Sequence, residues 1–240
     1  MKKIFDYFDS RYRDNVMSKP PEEDGPVITI SRQTGCDARQ VAAQVVDILN
    51  HRYGMNKWKW IDKDIIYRIA DELNTDPHRV ENFYQGIELS DLSEMIMAFS
   101  GNFVSDLRVK KAIRDVVLTV CKEGHVVMVG RGGVSIAREI TDALHVRLVA
   151  PFYWRVENVM RKKIMDVETA EEYVIETDEK RFNLISTFLD KKPLSLDYLF
   201  DATMNRSTFT IDEIAGFITD MYEKKISRQM LERRKLHPVI

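Results

Sequence analysis

The chain has 240 residues, of which 44% are hydrophobic and 31% charged, with a formal net charge of −2. Those proportions describe a folded chain with room for one sizeable α/β core, and they exclude a disordered tail or a globally basic nucleic-acid binder. No apolar run has the length of a membrane span, the opening "MKKIFDYFDS" lacks the apolar stretch of a secretory signal, and Cys36 and Cys121 form no paired motif, so a reducing cytoplasm is the expected setting.

Residues 1 to 19 carry Ile4, Phe5, Phe8 and Tyr12 at helical spacing, and "SKPPEEDGP" then breaks the pattern as a linker. "VITI" is a short run of β-branched residues, the kind buried on both faces of a parallel sheet. After a turn, Val41, Val45, Ile48 and Leu49 share one face of a helix. "WKWIDKDIIYRIADEL" reads as a strand end turning into a helix, and residues 76 to 123 read as helical throughout. "HVVMVGRGG" and "HVRLVAP" are two further strands, separated from a last one, "DYLFDATM", by the charged helical stretch from "FYWRVENVMRKK" to "ISTFL". A closing helix opens at Thr210 with Glu213 three residues on, the pattern of a capping box. Strands alternating with helices predict a three-layer α/β fold with a mainly parallel sheet.

The turn at 31 to 39 draws the first functional question. A glycine-bearing turn between strand and helix binds phosphate because backbone N–H groups at the helix start converge on the oxygens. The usual spacing is G-x-x-x-x-G-K-[ST]. Anchored on the strand end, its glycines fall on Arg32 and Asp37, its lysine on Ala38 and its hydroxyl on Arg39, so only the internal Gly35 is a glycine. Asp37 adds negative charge, whereas Arg32 and Arg39 supply guanidinium forks suited to phosphate. By the motif alone the segment is equally an ordinary βα turn with solvated charges. The histidines at 51, 78, 125, 145 and 237 show no ligand spacing, and no metal site is predicted from them.

Taken together and in order, "VITISRQTGCDARQVA", "WIDKDIIYRIADEL", "VVMVGRGGVSIA", "HVRLVAPFYWRVENVMRKK" and "ETDEKR" resemble the cytidylate kinase-like proteins of bacteria, relatives of the nucleoside monophosphate kinases. The resemblance implies a P-loop NTPase-like domain over about residues 26–235, preceded by an extension of about 25 residues. It also implies a helical acceptor-binding insertion near 65–122 and a helical lid near 153–190. It makes the missing lysine a trait of the family's loop. Ser31, Arg32, Gln33, Thr34, Gly35 and Arg39 would bind the phosphates of ATP, with Mg2+ as cofactor. Two glycines of the family loop stand here as Asp37 and Ala38. Asp62, Tyr67, Arg68, Arg131 and Asp178 would hold the acceptor monophosphate, and Arg161 and Arg181 would be the catalytic arginines of the lid. Lys63 replaces a serine that touches the acceptor in true cytidylate kinases.

The expected activity is therefore transfer of the ATP γ-phosphoryl group to a monophosphate such as CMP. Two alternatives stand beside it: a nucleotide or anion binder that has lost transfer, and a scaffold for a protein partner. Nucleotides are the expected small-molecule partners, nucleic acid and membranes are not, and self-association is left open.

Overall fold

The computed structural model describes residues 25–54, 56–85, 105–189 and 194–236. The N-terminal extension, and most of the Met- and aromatic-bearing stretch after Gln85, lie outside the described residues. Five strands form one sheet in the order β2-β3-β1-β4-β5, every neighbouring pair parallel. They are β1 (Val27–Arg32), β2 (Lys59–Ile61), β3 (Val126–Val129), β4 (Ala143–Val149) and β5 (Ala202–Asn205). The helices are α1 (Ala38–Tyr53), α2 (Ile65–Glu72), α3 (Pro77–Gln85), α4 (Asp106–Glu123), the short α5 (Gly133–Ile136), α6 (Phe152–Lys163), α7 (Val167–Thr187) and α8 (Ile211–Leu236).

The continuous apolar strands are explained by cover on both faces. Ile28 and Ile30 of β1 pack with Val127, Val129, Val146 and Leu148 under α1 and α8. Val27, Val126 and Met128 face the other way, onto a cluster built from α2, α3 and α4. One polar pair is set into the sheet itself. Thr29 and His145 are register partners, with Thr29 Oγ1 2.7 Å from His145 Nδ1. Both are buried, and burial pushes the imidazole down to about 4, against the pull of Asp201.

The expected last strand is shorter than "DYLFDATM". Asp197–Leu199 forms a 3-10 turn and only Ala202–Asn205 pairs with β4. The predicted capping box forms at α8: Thr210 N–H donates to Glu213 Oε2 at 2.8 Å, and Glu213 N–H donates to Thr210 Oγ1 at 3.2 Å.

Candidate functional site

The C-terminal ends of β1, β2 and β3 meet at one edge of the sheet, where an open α/β fold exposes its helix N-termini. The turn after β1 is held largely by α6 and α7. Gly35 has φ +91°, and a Cβ there would lie 2.8 Å from the Arg155 carbonyl oxygen, so α6 packs directly on the turn's backbone. Arg155 Nε donates to Ala150 O at 3.0 Å, and its Nη1 donates to Thr34 O at 3.4 Å and to Asp178 Oδ2 at 2.6 Å. Asp178 in turn accepts from the Thr34 N–H at 2.6 Å and the Thr34 hydroxyl at 2.7 Å. Asn158 Nδ2 donates to Gly35 O at 3.1 Å. Gln33 Oε1 accepts from Ala150 N–H at 3.1 Å, which directs this side chain to β4, and Ser31 is buried. A turn with one glycine is thus kept in shape by side chains from α6 and α7.

Asp37 sits at the head of α1 in the left-handed region, φ 54°, without capping the helix through its side chain. It is engaged by Lys162 Nζ and lies 3.9 Å from Arg206 Nη2. Its charge is therefore matched from outside the turn. Cys36 is buried, and burial pushes its thiol up to about 12, so it stays protonated.

Asp62 follows β2 directly and is 1% exposed. Three guanidiniums gather on it: Arg39 Nε at 2.5 Å, Arg131 Nε at 3.2 Å and Arg32 Nη2 at 4.0 Å. Arg131 is reached through an unusual backbone. Gly130, Arg131 and Gly132 have φ of 69°, 58° and 73°, so an arginine holds a left-handed conformation between two glycines. A Cβ on Gly130 would fall 1.8 Å from Arg32 Nη1, so the two arginines share this corner only because position 130 has no side chain. The Arg131 guanidinium also lies over the Tyr84 ring, 4.8 Å from its centre.

Burial pushes Arg32 down to about 9, helped by repulsion from Arg181 and opposed by Asp62. Arg181 is lowered too, first by burial, with Asp178 pulling the other way. Crowded, desolvated cations of this kind gain from a further anion. Arg181 Nη1 donates to Thr34 Oγ1 at 3.0 Å and to Arg32 O at 3.4 Å, which brings a cation of α7 onto the turn. The resulting cleft has a volume of about 640 Å³ and is lined by five cations, Arg32, Arg39, Lys162, Lys163 and Arg181, against one carboxylate, Asp37.

The expected site residues divide accordingly. Arg32, Arg39, Asp62 and Arg131 come together, and Thr34, Gly35, Asp178 and Arg181 form the adjoining group. Asp178 is spent on Thr34 and Arg155, on the side of the turn. Arg68 is placed elsewhere: its Nη2 lies 4.0 Å from Glu123 Oε1, at the far end of α4. Glu123 lies just before the start of β3, so Arg68 is directed toward the opposite end of the strands from the Asp62 corner. Tyr67 is 43% exposed. Arg161 donates to Asn158 Oδ1, while its neighbour Lys162 lines the cleft. A step of about 100° around a helix separates the two. Sequence reasoning missed Asn158, Lys162 and Arg206. The available signal was helical spacing, which puts Lys162 four residues after Asn158 on the face that meets the turn.

The model of the cytidylate kinase-like family matches residues 27–208. This chain belongs to the cytidylate kinase-like family. Among solved structures, a protein from Eubacterium ventriosum aligns with 83% of this chain and 98% of its own, at 17% identity and a TM-score of 0.59, and so shares the fold. A shikimate kinase from Acinetobacter baumannii aligns with 88% of this chain and 96% of its own, at 16% identity and a TM-score of 0.44. A gluconokinase from Sinorhizobium meliloti aligns with 88% of this chain and 99% of its own, at 10% identity and a TM-score of 0.46. A curated relative, uronate isomerase of Corynebacterium glutamicum, is 25% identical over 140 residues, 58% of this chain and 26% of that protein. The chain therefore spans about a quarter of that relative's length. Among the described residues no helix is long and apolar enough to cross a membrane.

Proposed function

We propose that this cytidylate kinase-like protein is an ATP-dependent phosphotransferase acting on a nucleoside monophosphate such as CMP. The observation that carries the reading is the cleft over the 31–39 turn, where five cations from the turn, α1 and the lid face a single, already paired carboxylate. Phosphoryl transfer asks little covalent work of a protein and much positioning and charge neutralisation. The phosphate chain of ATP fits this lining. Arg39, Lys162 and Arg181 would hold it, with Arg32 behind them. Arg131 would meet the acceptor phosphate, exchanging part of its contact with Asp62. α6 and α7, packed close to the turn, would shield the transferred group from water.

A protein-held magnesium ion does not fit in the same way. Position 39 offers a guanidinium where the usual loop offers a hydroxyl. Among the described residues no group of three or more His, Cys, Asp or Glu side chains is placed to hold a metal. Magnesium commonly arrives on phosphate oxygens with its own waters.

The test is a coupled assay of ADP formation with CMP, UMP, AMP and GMP as acceptors. Turnover with one of them supports the reading, and none with any acceptor overturns it. A second reading, a nucleotide binder without transfer, is favoured by Asp62, whose buried carboxylate already engages three of the arginines. It predicts that ATP raises the melting temperature while no acceptor is turned over.

A further inference from the structure

A smaller cavity lies against the segment that follows Arg131. It has a volume of about 240 Å³ and is bounded by α4, by α5 with the loop after it, and by Phe188 and Leu189 at the end of α7. Arg114, Leu118 and Lys122 line it from α4 at intervals of four residues, so they share one face of that helix. Arg138 and Glu139 line it from the loop, and the buried Ile136 and Phe188 form its floor.

Three cations against one carboxylate leave this lining with an excess of positive charge. In the cleft over the 31–39 turn, Asp37 and Asp62 are both engaged by cations. Here the charges are uncommitted: Arg114, Arg138 and Glu139 make no ion pair or hydrogen bond among the described residues. Ser135 adds a second kind of group. It is buried, and its hydroxyl donates to Ile185 O at 2.8 Å, so what it has left to offer a ligand is an acceptor. The cavity thus has forks for an anion and, beside them, two oxygen acceptors, Ser135 and Glu139, for hydroxyl donors.

We propose that this cavity is a binding site for a small phosphorylated polyol. A phosphate monoester carries close to two negative charges at pH 7, which answers the excess of cations over Glu139. Its hydroxyls supply the donors that Glu139 and Ser135 accept. The volume lies below the roughly 300–1,000 Å³ of sites for drug-sized ligands, so it suits a phosphate on a short hydroxylated chain. The floor of the cavity also supports the Arg131 turn. A Cβ on Gly132 would lie 2.8 Å from Phe188 Cδ2 and 3.4 Å from Ile136 Cδ1, so two lining side chains pack on the residue after Arg131. A ligand held against them stiffens that turn. Nothing in this lining depends on the phosphotransferase reading.

Calorimetric titration of the full chain with glycerol 3-phosphate, inorganic phosphate and glycerol tests this. Glycerol 3-phosphate should bind more tightly than phosphate, and glycerol should not register. Arg114→Gln and Arg138→Gln, both at exposed positions, should each weaken the ester about fivefold, while Arg39→Ala in the cleft should leave it unchanged. Glu139→Ala should tighten phosphate by removing a like charge and weaken the ester by removing a hydroxyl partner, which erases the preference between them. Hydrogen exchange should slow over residues 133–140 when the ester binds, and Arg138→Gln should abolish that protection. Ester binding that depends on Arg39 alone, with protection only over 33–39, puts the molecule in the cleft; it overturns the inference and leaves the phosphotransferase reading standing. A Glu139→Ala variant that tightens both anions equally marks a plain basic surface and overturns it as well. So does an ester that does not bind at all.

Discussion

The cleft over the 31–39 turn and a second cavity across α7 from it, bounded by α3 and the start of α4, carry opposite charge. One is lined by five cations and one carboxylate, the other by three carboxylates and one ammonium. A single helix serves both. At 3.6 residues per turn, Tyr173, Asp178 and Arg181 point to the turn, while Glu176, Glu179, Lys180 and Asn183 point to the second cavity. Its sequence looks like a solvated salt-bridged helix because both signs are interleaved along it. Folding sorts them. The lesson is that charge density along a helix says little until the neighbours of each face are known.

The contrast breaks most visibly at Asp62, the counter-charge for the cationic side. Asp62→Ala leaves three guanidiniums without it, and the loss of one partner from such a buried cluster costs roughly 3–5 kcal/mol. Urea unfolding should show that loss, and inorganic pyrophosphate should restore part of it by standing in for the carboxylate. Unchanged stability would mean that the cations are balanced elsewhere.

A buried group outside both cavities provides the reference. His145 has its pKa pushed from an ordinary 6.5 to about 4. The unfolded chain therefore takes up its proton first as pH falls. The stabilisation is complete above pH 6.5 and is lost between 6.5 and about 4, by up to about 3 kcal/mol. Urea midpoints compared at pH 7 and pH 5 check this, with Asn in place of His145 to separate it from the carboxylates. The wild-type midpoint should fall with pH more than that of His145→Asn. Parallel falls would deny a buried neutral imidazole.

Smaller effects sharpen the cationic side itself. The Arg39 side chain is more than half exposed, so solvent screens it, and Arg39→Ala should weaken ATP by about tenfold. Asp37→Gly should tighten ATP by a few-fold, because it releases Lys162 to the cleft and relieves a left-handed aspartate, a conformation glycine adopts freely. Calorimetry on the three proteins decides. Identical affinities would show that the turn is no phosphate site and would favour a scaffold role. Last, Thr210→Ala should cost about 1 kcal/mol of stability by removing half of the α8 capping box, with no change in ATP or CMP affinity.

Much of the scaffold was legible in the chain. "VITI" and "VVMV" read as strands buried on both faces because no polar residue but Thr29 interrupts them, and that threonine has His145 opposite it. The Thr210 and Glu213 pair announced the start of α8. The corner at Asp62 was half legible: Arg39 and Arg131 could be named, but no pattern says that one carboxylate will gather both. Arg68 shows the limit. Motif order placed it with the acceptor, yet its guanidinium reaches Glu123, just before the start of β3 and away from the strand ends that carry Asp62. Arg161 and Lys162 show another, since which of two adjacent cations faces a cleft depends on a helix rotation fixed by packing. Tyr84 carried no signal, because a buried hydroxyl with no partner among the described residues is a property of surroundings.

The backbone at Arg131 also bears on how this sequence can change over time. Every arginine codon lies one base from a glycine codon, and glycine would relax a main chain held at φ 58° between two residues that bend the same way. Drift at this position therefore runs downhill in strain. A chain that retains arginine here forgoes that relief at every generation, so replacement by glycine should be tolerated by the fold and felt only through what the guanidinium touches.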